Sequence, residues 1–275
     1  YHSKTEDGAG TLIGKTVNTD SLIRNLDLRI LTNGSKVYYT VESTKTRTWQ
    51  EGSKTGIYCG SVNGSKAKLV KTITQKAGNG KLQLVSVYGG KLYYRVNYSV
   101  YGDYARRTPL YSLDLKTKKV KKVSGDFDSS YTYNSGGDRY LYGASFGKDG
   151  LRIFDCKKDK FIRTISTASA QGSAIDGGRL YYLVTNGEKD YTKIYSASRS
   201  GADRKPVLEG LPYNTWIDVI SKDYICYRIN DGLDGHIYMT ATGEDRKLDQ
   251  MDYQNYIKEN PHGANIYTGS GVLRG

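Results

Sequence analysis

LQLVSVYGGKLYYRVNYSVYGDYARRTPLYSLDLKTKKVKKV, residues Leu82–Val123, decides the fold. It divides into LQLVSVY, KLYYRVN, TPLYSLDLKT and KKVKKV. Each piece alternates apolar and polar residues, as a strand with one buried face does. Gly89-Gly90 links the first two pieces and Lys116-Thr117 the last two, which is the chemistry of tight hairpins. Four antiparallel strands in succession form one small twisted sheet. Such a sheet cannot cover both of its own faces, so the stretch demands neighbours of its own kind.

Those neighbours are present in the sequence. The aliphatic–aromatic pair Leu110-Tyr111 recurs as Ile57-Tyr58, Ile153-Phe154, Ile194-Tyr195 and Ile237-Tyr238. A second marker keeps step with it: Val37-Tyr38-Tyr39, Leu92-Tyr93-Tyr94, Tyr140-Leu141-Tyr142, Leu180-Tyr181-Tyr182 and Ile225-Cys226-Tyr227. Turns precede these at Asn33-Gly34, Gly89-Gly90, Gly136-Gly137, Gly177-Gly178 and Ser221-Lys222. A four-stranded unit repeated every 40–50 residues or so is the signature of a β-propeller. The reading is an all-β, single-domain propeller over 1–275, with full repeats at about 22–81, 82–129, 130–171, 172–214 and 215–250. Residues 11–17 and 252–270 are expected to supply a closing sixth blade, the N-terminal strand outermost, with five blades as the alternative.

Composition agrees with many short strands and tight turns. The 275 residues include 26 Tyr, 32 Gly and only 4 Pro. Tyr suits half-buried strands and wet binding faces alike. Cys59, Cys156 and Cys226 form neither a CxxC pair nor an even disulfide set, and they read as buried free thiols. No apolar run is long enough for a membrane helix. The chain opens at Tyr1, which an excised export signal would explain.

The pattern G-[GN]-x-[LVI]-Y-Y, followed by [LI]-Y and a basic turn, resembles the six-bladed TolB-like propellers. It is similar above all to the uncharacterised, lipoprotein-receptor-like propeller domains of Gram-positive surface proteins. The similarity covers nearly the whole chain, but its motif is structural and the YWTD tetrad is missing. The resemblance implies a propeller fold and an extracellular or surface-attached location. It transfers no site residue.

The net charge of +13 gathers on the fourth strand of each repeat, for example Lys118, Lys119, Lys121 and Lys122. On an outer blade edge, lysine opposes sheet-to-sheet aggregation. Weak contact with an anionic cell-wall polymer is the functional counterpart. Specific nucleic-acid binding is not expected, because no recognition module accompanies the charge. Ligand-binding candidates lie in loops between strands two and three or four and one. They are Trp49, Tyr98, Tyr101, Tyr104, Arg106, Arg107, Asp126, Asp128, Tyr213, Trp216, Asp231 and Asp234. Aromatic rings beside charges stack on sugars or anchor protein interfaces.

Catalytic and metal motifs are weak. Gly143-Ala144-Ser145-Phe146-Gly147 matches the nucleophile-elbow pattern but falls between two strands, where that motif needs a strand-to-helix turn. His2, His236 and His262 have no triad or metal spacing. The expectation is a monomeric, cofactor-free, non-enzymatic propeller that recognises a protein or glycan through its loop face. A glycoside hydrolase or lyase using Asp103, Asp126, Asp128, Asp231 or Asp234 is the alternative.

Overall fold

A computed structural model describes residues 31–43, 53–62, 67–75, 82–96, 109–125, 139–145, 148–165, 169–186, 191–229, 235–260 and 264–265. These form five antiparallel sheets and one helix. The first sheet runs β1 (Leu31–Asn33), β2 (Lys36–Ser43), β3 (Ser53–Ser61) and β4 (Lys68–Gln75). The opening stretch of the sequence is the second sheet: β5 (Leu82–Tyr88), β6 (Lys91–Val96), β7 (Leu110–Asp114) and β8 (Val120–Ser124). The third contains β9 (Tyr140–Ser145), β10 (Lys148–Asp155) and β11 (Lys160–Thr164). The fourth is β12 (Ser169–Asp176), β13 (Arg179–Asn186), β14 (Tyr191–Ser198) and β15 (Lys205–Leu211). The fifth has β16 (Thr215–Ile220), β17 (Tyr224–Ile229), β18 (Gly235–Met239) and β19 (Asp245–Leu248). Strands follow one another in sequence order across each sheet, the meander of a propeller-like blade.

One backbone hydrogen bond fixes the phase of the repeat. The residue after the third strand donates its N–H to the carbonyl just before the second strand: Val62 to Ser35, Leu115 to Gly90, Cys156 to Arg139 and Thr240 to Asp223. Counting from it, Tyr93 corresponds to Tyr142, one place earlier than the sequence markers imply. The pairs Ile153-Phe154 and Ile237-Tyr238 likewise sit two residues beyond the positions of Leu110-Tyr111. A two-residue slip returns a side chain to the same face of a strand, so the apolar pattern survives it.

The middle strands carry the core. Leu92 to Val96 and Leu180 to Thr185 are buried without interruption, whereas β8 and β19 at the far edge are largely exposed. Across strands two and three, rings meet in register: Tyr39 on Tyr58, Tyr94 on Tyr111 and Tyr182 on Tyr195, with centroids 5.5, 5.3 and 5.7 Å apart. Each such pair adds about 0.5–1.5 kcal/mol beyond its buried area. The fifth sheet keeps the place with Tyr227 on His236 at 4.9 Å. At the turn before the second strand, Gly89-Gly90 and Gly177-Gly178 have positive φ at both positions, the two-residue turn that matches strand twist.

Backbone contacts divide the chain into two compact units. The first holds residues 1–127, 134–141 and 156–159; the second holds 128–133, 142–155 and 160–275. In the first, Leu31, Ile57, Leu84, Leu92 and Leu113 join the first two sheets in one apolar cluster. In the second, Ala174, Ile194, Ile217 and Ile225 do the same for the fourth and fifth sheets. Within each unit a tyrosine hydroxyl reaches a neighbouring third-to-fourth-strand turn. Tyr93 donates to the Cys156 carbonyl at 3.3 Å, and Tyr142 donates to that of Arg199 at 2.7 Å.

The expected closing blade is corrected at its C-terminal part. Residues Gln250–Glu259 form a helix, α1, and Ala264–Asn265 (β20) pairs antiparallel with β16, making the fifth sheet five-stranded. The helix wins because Asp249 caps it, accepting from the Asp252 N–H at 2.9 Å, and because Tyr253, Tyr256 and Ile257 form an apolar stripe at helical spacing. Residues 11–17 and the turn Gly136-Gly137 lie outside the described residues.

The turn between β10 and β11 holds Asp159 at φ 53°, with its Oδ2 3.1 Å from Lys91 Nζ and 3.0 Å from Lys121 Nζ. Burial alone raises the Asp159 carboxyl, but the hydrogen bonds and charges of Lys121 and Lys91 outweigh it and hold it below the usual value. A depressed folded-state value stabilises the protein above the unfolded aspartate range near ~4, and that contribution is lost as pH falls through the folded value. Asp159→Ala and Asp159→Gly both remove the ion pairs, but only alanine keeps a Cβ in the left-handed region. Urea unfolding at pH 7 is expected to find the alanine variant less stable than the glycine variant by about 1 kcal/mol. Both variants should show a shallower loss of stability on acidification below about pH 4 than the unaltered chain.

Candidate functional site on the inner strands of the fifth sheet

Two equivalent positions carry arginine. Five residues after the phase-setting carbonyl stand Arg95 in the second sheet and Arg228 in the fifth, within Tyr94-Arg95-Val96 and Tyr227-Arg228-Ile229. Arg95 is buried, and its Nε and Nη2 donate to Gln83 Oε1 on the first strand at 2.8 and 2.5 Å. Arg228 instead grips Asp218 with two bonds, Nε to Oδ2 at 2.7 Å and Nη2 to Oδ1 at 2.8 Å. The planar guanidinium matches a carboxylate in this two-pronged way, which sets the pair's orientation as well as its attraction.

The Asp218 carboxylate takes a third bond, from the hydroxyl of Tyr253 at 2.9 Å. Tyr253 comes from α1 and is fully buried. Burial, then the charge of Asp218, pushes its hydroxyl far above the ordinary tyrosine value, so it remains a donor. With three donors on its two oxygens, the Asp218 carboxylate joins β16, β17 and α1. A Cβ on Gly235, which opens β18, would overlap the Tyr253 ring. Glycine is therefore what lets the helix seat on the sheet. The far end of the helix is also tied down. Tyr224 donates its hydroxyl to the Asn260 carbonyl at 2.5 Å, and its ring meets Tyr256 edge-on.

Beside this lies a second polar group. Tyr227 donates to Asp245 Oδ2 at 2.6 Å, and His236 stacks on Tyr227 with Nδ1 3.5 Å from Asp245 Oδ1. Burial, then the bond to Asp245, raises the Tyr227 hydroxyl well above its ordinary value. The Cys226 thiol on the same strand is pushed up to about 12 by burial and then by the Asp218 charge. It is a buried, protonated packing residue at neutral pH.

Of the sequence-derived candidates, two lie among the described residues. Tyr213 is 46% exposed in the turn before β16, and its carbonyl accepts from Thr192 Oγ1 at 3.3 Å. Trp216 is half-buried on β16, directly opposite Arg228 in the register. Trp49, Tyr98, Tyr101, Asp103, Tyr104, Arg106, Arg107, Asp126, Asp128, Asp231 and Asp234 lie outside the described residues. The arginine positions were missed, although the phased Tyr-Arg-[Val/Ile] triplets carried the signal. Residues Gly143 to Ser145 end β9 and β10 starts at Lys148, so that serine is followed by a strand. Among the described residues, no three His, Cys, Asp or Glu side chains group as a metal site. No helix among them is long and apolar enough to cross a membrane.

No protein-family model matches the chain, and no curated protein does. Solved structures do. Dipeptidyl peptidase 4 of Porphyromonas gingivalis aligns with a TM-score of 0.52 at 12% identity, over 82% of this chain and 37% of its own. A prolyl endopeptidase aligns at 0.51 and 14%, over 80% of this chain and 34% of its own. The β-propeller domain of the Trilobed protease from Pyrococcus furiosus aligns at 0.46 and 17%, over 82% and 68%. The chain thus spans about a third of the length of the first two, and at such identities the likeness is one of fold. It corrects the functional expectation. Most of the solved folds named among its neighbours are those of peptidases, in place of a surface propeller recognising a protein or glycan or a glycoside hydrolase.

Gly235→Ala is expected to cost roughly 1–3 kcal/mol by overpacking, and Tyr253→Ala about 3–5 kcal/mol by cavity formation. In the double variant the overlap is gone, so denaturant unfolding should find its cost below the sum of the two. A thiol reagent at pH 8 should leave Cys226 unmodified until the chain unfolds, read by mass spectrometry of the labelled peptides.

Proposed function

We propose that this chain is the propeller-like, non-catalytic domain of a peptidase-class protein, and that its ligands are peptides. The carrying observation is the fold shared with dipeptidyl peptidase 4 and a prolyl endopeptidase over four-fifths of this chain but a third of theirs. The fifth sheet supports the reading: its first strand places Trp216 and the Arg228–Asp218 pair together, and main chain from another segment already lies along that strand. Extended peptides are bound by such edges through main-chain bonds, with neighbouring side chains selecting among them.

The experiment is a binding and cleavage screen of the purified chain. Fluorescent oligopeptides of five to ten or so residues, sized to a strand, are compared with a panel of oligosaccharides. Binding of peptides without turnover, and no binding of sugars, is the expected result. Sugar binding without peptide binding would overturn the proposal. Peptide hydrolysis by the chain alone would overturn its non-catalytic part.

A further inference from the structure

The turn between β7 and β8 and the start of β8 read KTKKVKK, residues 116–122, and every one of these residues is exposed. The β10–β11 turn, residues 156–159 of the same compact unit, is docked beside them. Tyr93 holds its Cys156 carbonyl, and Lys91 and Lys121 hold its Asp159. That turn adds Lys157 and Lys158, both exposed. Two aspartates stand among these lysines, and each has partners of its own. Asp114 accepts from the Lys116 and Thr117 N–H groups at 3.0 and 2.6 Å, and Asp159 bridges its two lysines at 3.1 and 3.0 Å. The corresponding turns of the fifth sheet are built differently: Lys222 Nζ lies 3.6 Å from Asp223, and Arg246 Nε lies 2.6 Å from Glu244. Mixed charges of that kind are enough to keep a sheet edge soluble. A field of one sign goes further and gathers partners of the opposite sign.

We infer that this lysine surface of the first unit binds a carboxylate-rich segment of a partner protein. The inference goes beyond the peptide reading of the fifth sheet and is independent of it. The chain itself displays the chemistry, since a carboxylate on one turn is taken by ammonium groups from β6 and β8. Lys121 holds Asp159 with 66% of its side chain still exposed, and an ammonium carries three donors, so the same residue can meet a second carboxylate. Residues 115–122 and 156–159 contain no aromatic side chain, so they offer nucleic-acid bases no stacking platform. Each exposed ion pair contributes little, and binding therefore needs several lysines at once and weakens with salt.

Fluorescence anisotropy on the whole chain tests this with a labelled decapeptide of alternating Glu and Ser, beside its Gln-Ser counterpart. The acidic peptide should bind at least about tenfold more tightly at about 50 mM salt and lose most of that advantage at about 500 mM. The variant Lys119→Gln/Lys122→Gln/Lys157→Gln should bind it roughly tenfold more weakly than the unaltered chain. Lys205→Gln/Lys222→Gln/Lys247→Gln removes as much charge from the second unit and should change its affinity less than about twofold. Equal losses in the two variants would overturn the inference, because net charge alone would then account for binding. So would equal affinity for the two peptides, or tighter binding of inorganic polyphosphate or a single-stranded oligonucleotide of matched charge. If the first variant does not fold, lysine acetylation of the unaltered chain decides, read by mass spectrometry. The acidic peptide must slow modification of Lys119, Lys122 and Lys157 at least about fivefold and spare Lys205 and Lys222 that effect; no such protection sinks the idea. Binding of neutral oligopeptides but not the acidic one overturns this inference and leaves the peptide function standing. Binding of the acidic peptide alone, mapped to these lysines, supports the inference and counts against the fifth-sheet reading.

Discussion

The structure depends on the second strand of each sheet being buried on both faces along a run of at least three residues. A main chain so placed has no water to turn to, so every donor and acceptor must find its partner within the sheet. The repeated hydrogen bond from the residue after strand three to the carbonyl before strand two closes that pair at one end, in four of the five sheets. In-register tyrosine stacks and short paired-glycine turns stand beside it in several sheets, and charge is carried outward to the fourth strand, where lysine opposes pairing with another sheet.

Against this regular background the fifth sheet is the exception. In the first, second and fourth sheets the position opposite the Tyr of strand two holds another tyrosine; in the fifth it holds a histidine, beside an aspartate that also receives the Tyr227 hydroxyl. Arg95 spends its guanidinium on a neutral glutamine, whereas Arg228 spends its own on a carboxylate shared with a helix. Among the described residues, the fifth sheet alone is flanked by a helix, α1, and widened by a fifth strand, β20. Departures from a repeat are where selection for something other than stability leaves its mark. Here they gather on one sheet.

Much of this architecture was legible because alternation and turn chemistry are local. Gly89-Gly90 and Gly177-Gly178 mark their hairpins, and the Leu-Tyr-Tyr triplets mark central strands, without help from tertiary structure. The third-strand markers of repeats three and five were misread for a physical reason. Alternation repeats every two residues, so a marker displaced by two still looks correct. The closing blade failed differently. Met251 to Lys258 offers both a strand-like and a helical reading, and what decides between them is remote in sequence: the bare surface over Gly235 that receives Tyr253. The arginine–carboxylate pair was invisible for the same reason, since Asp218 and Arg228 are ordinary strand residues until the bulge between Ile217 and Val219 brings their side chains together.

The seating of α1 also bears on the order in which the chain can fold. Sheets one to four each consist of consecutive strands, so each can form soon after its own residues leave the ribosome. Sheet five cannot be completed in that way. Its Asp218 lacks its third donor until Tyr253 arrives, and its first strand, paired with β17 on one side, lacks β20 on the other until residues 264–265 do. During synthesis the second unit therefore passes through a stage with four strands of this sheet present and its Gly235 surface uncovered. That interval is when the nascent chain is most exposed to mispairing with another copy, and chaperone dependence would concentrate there.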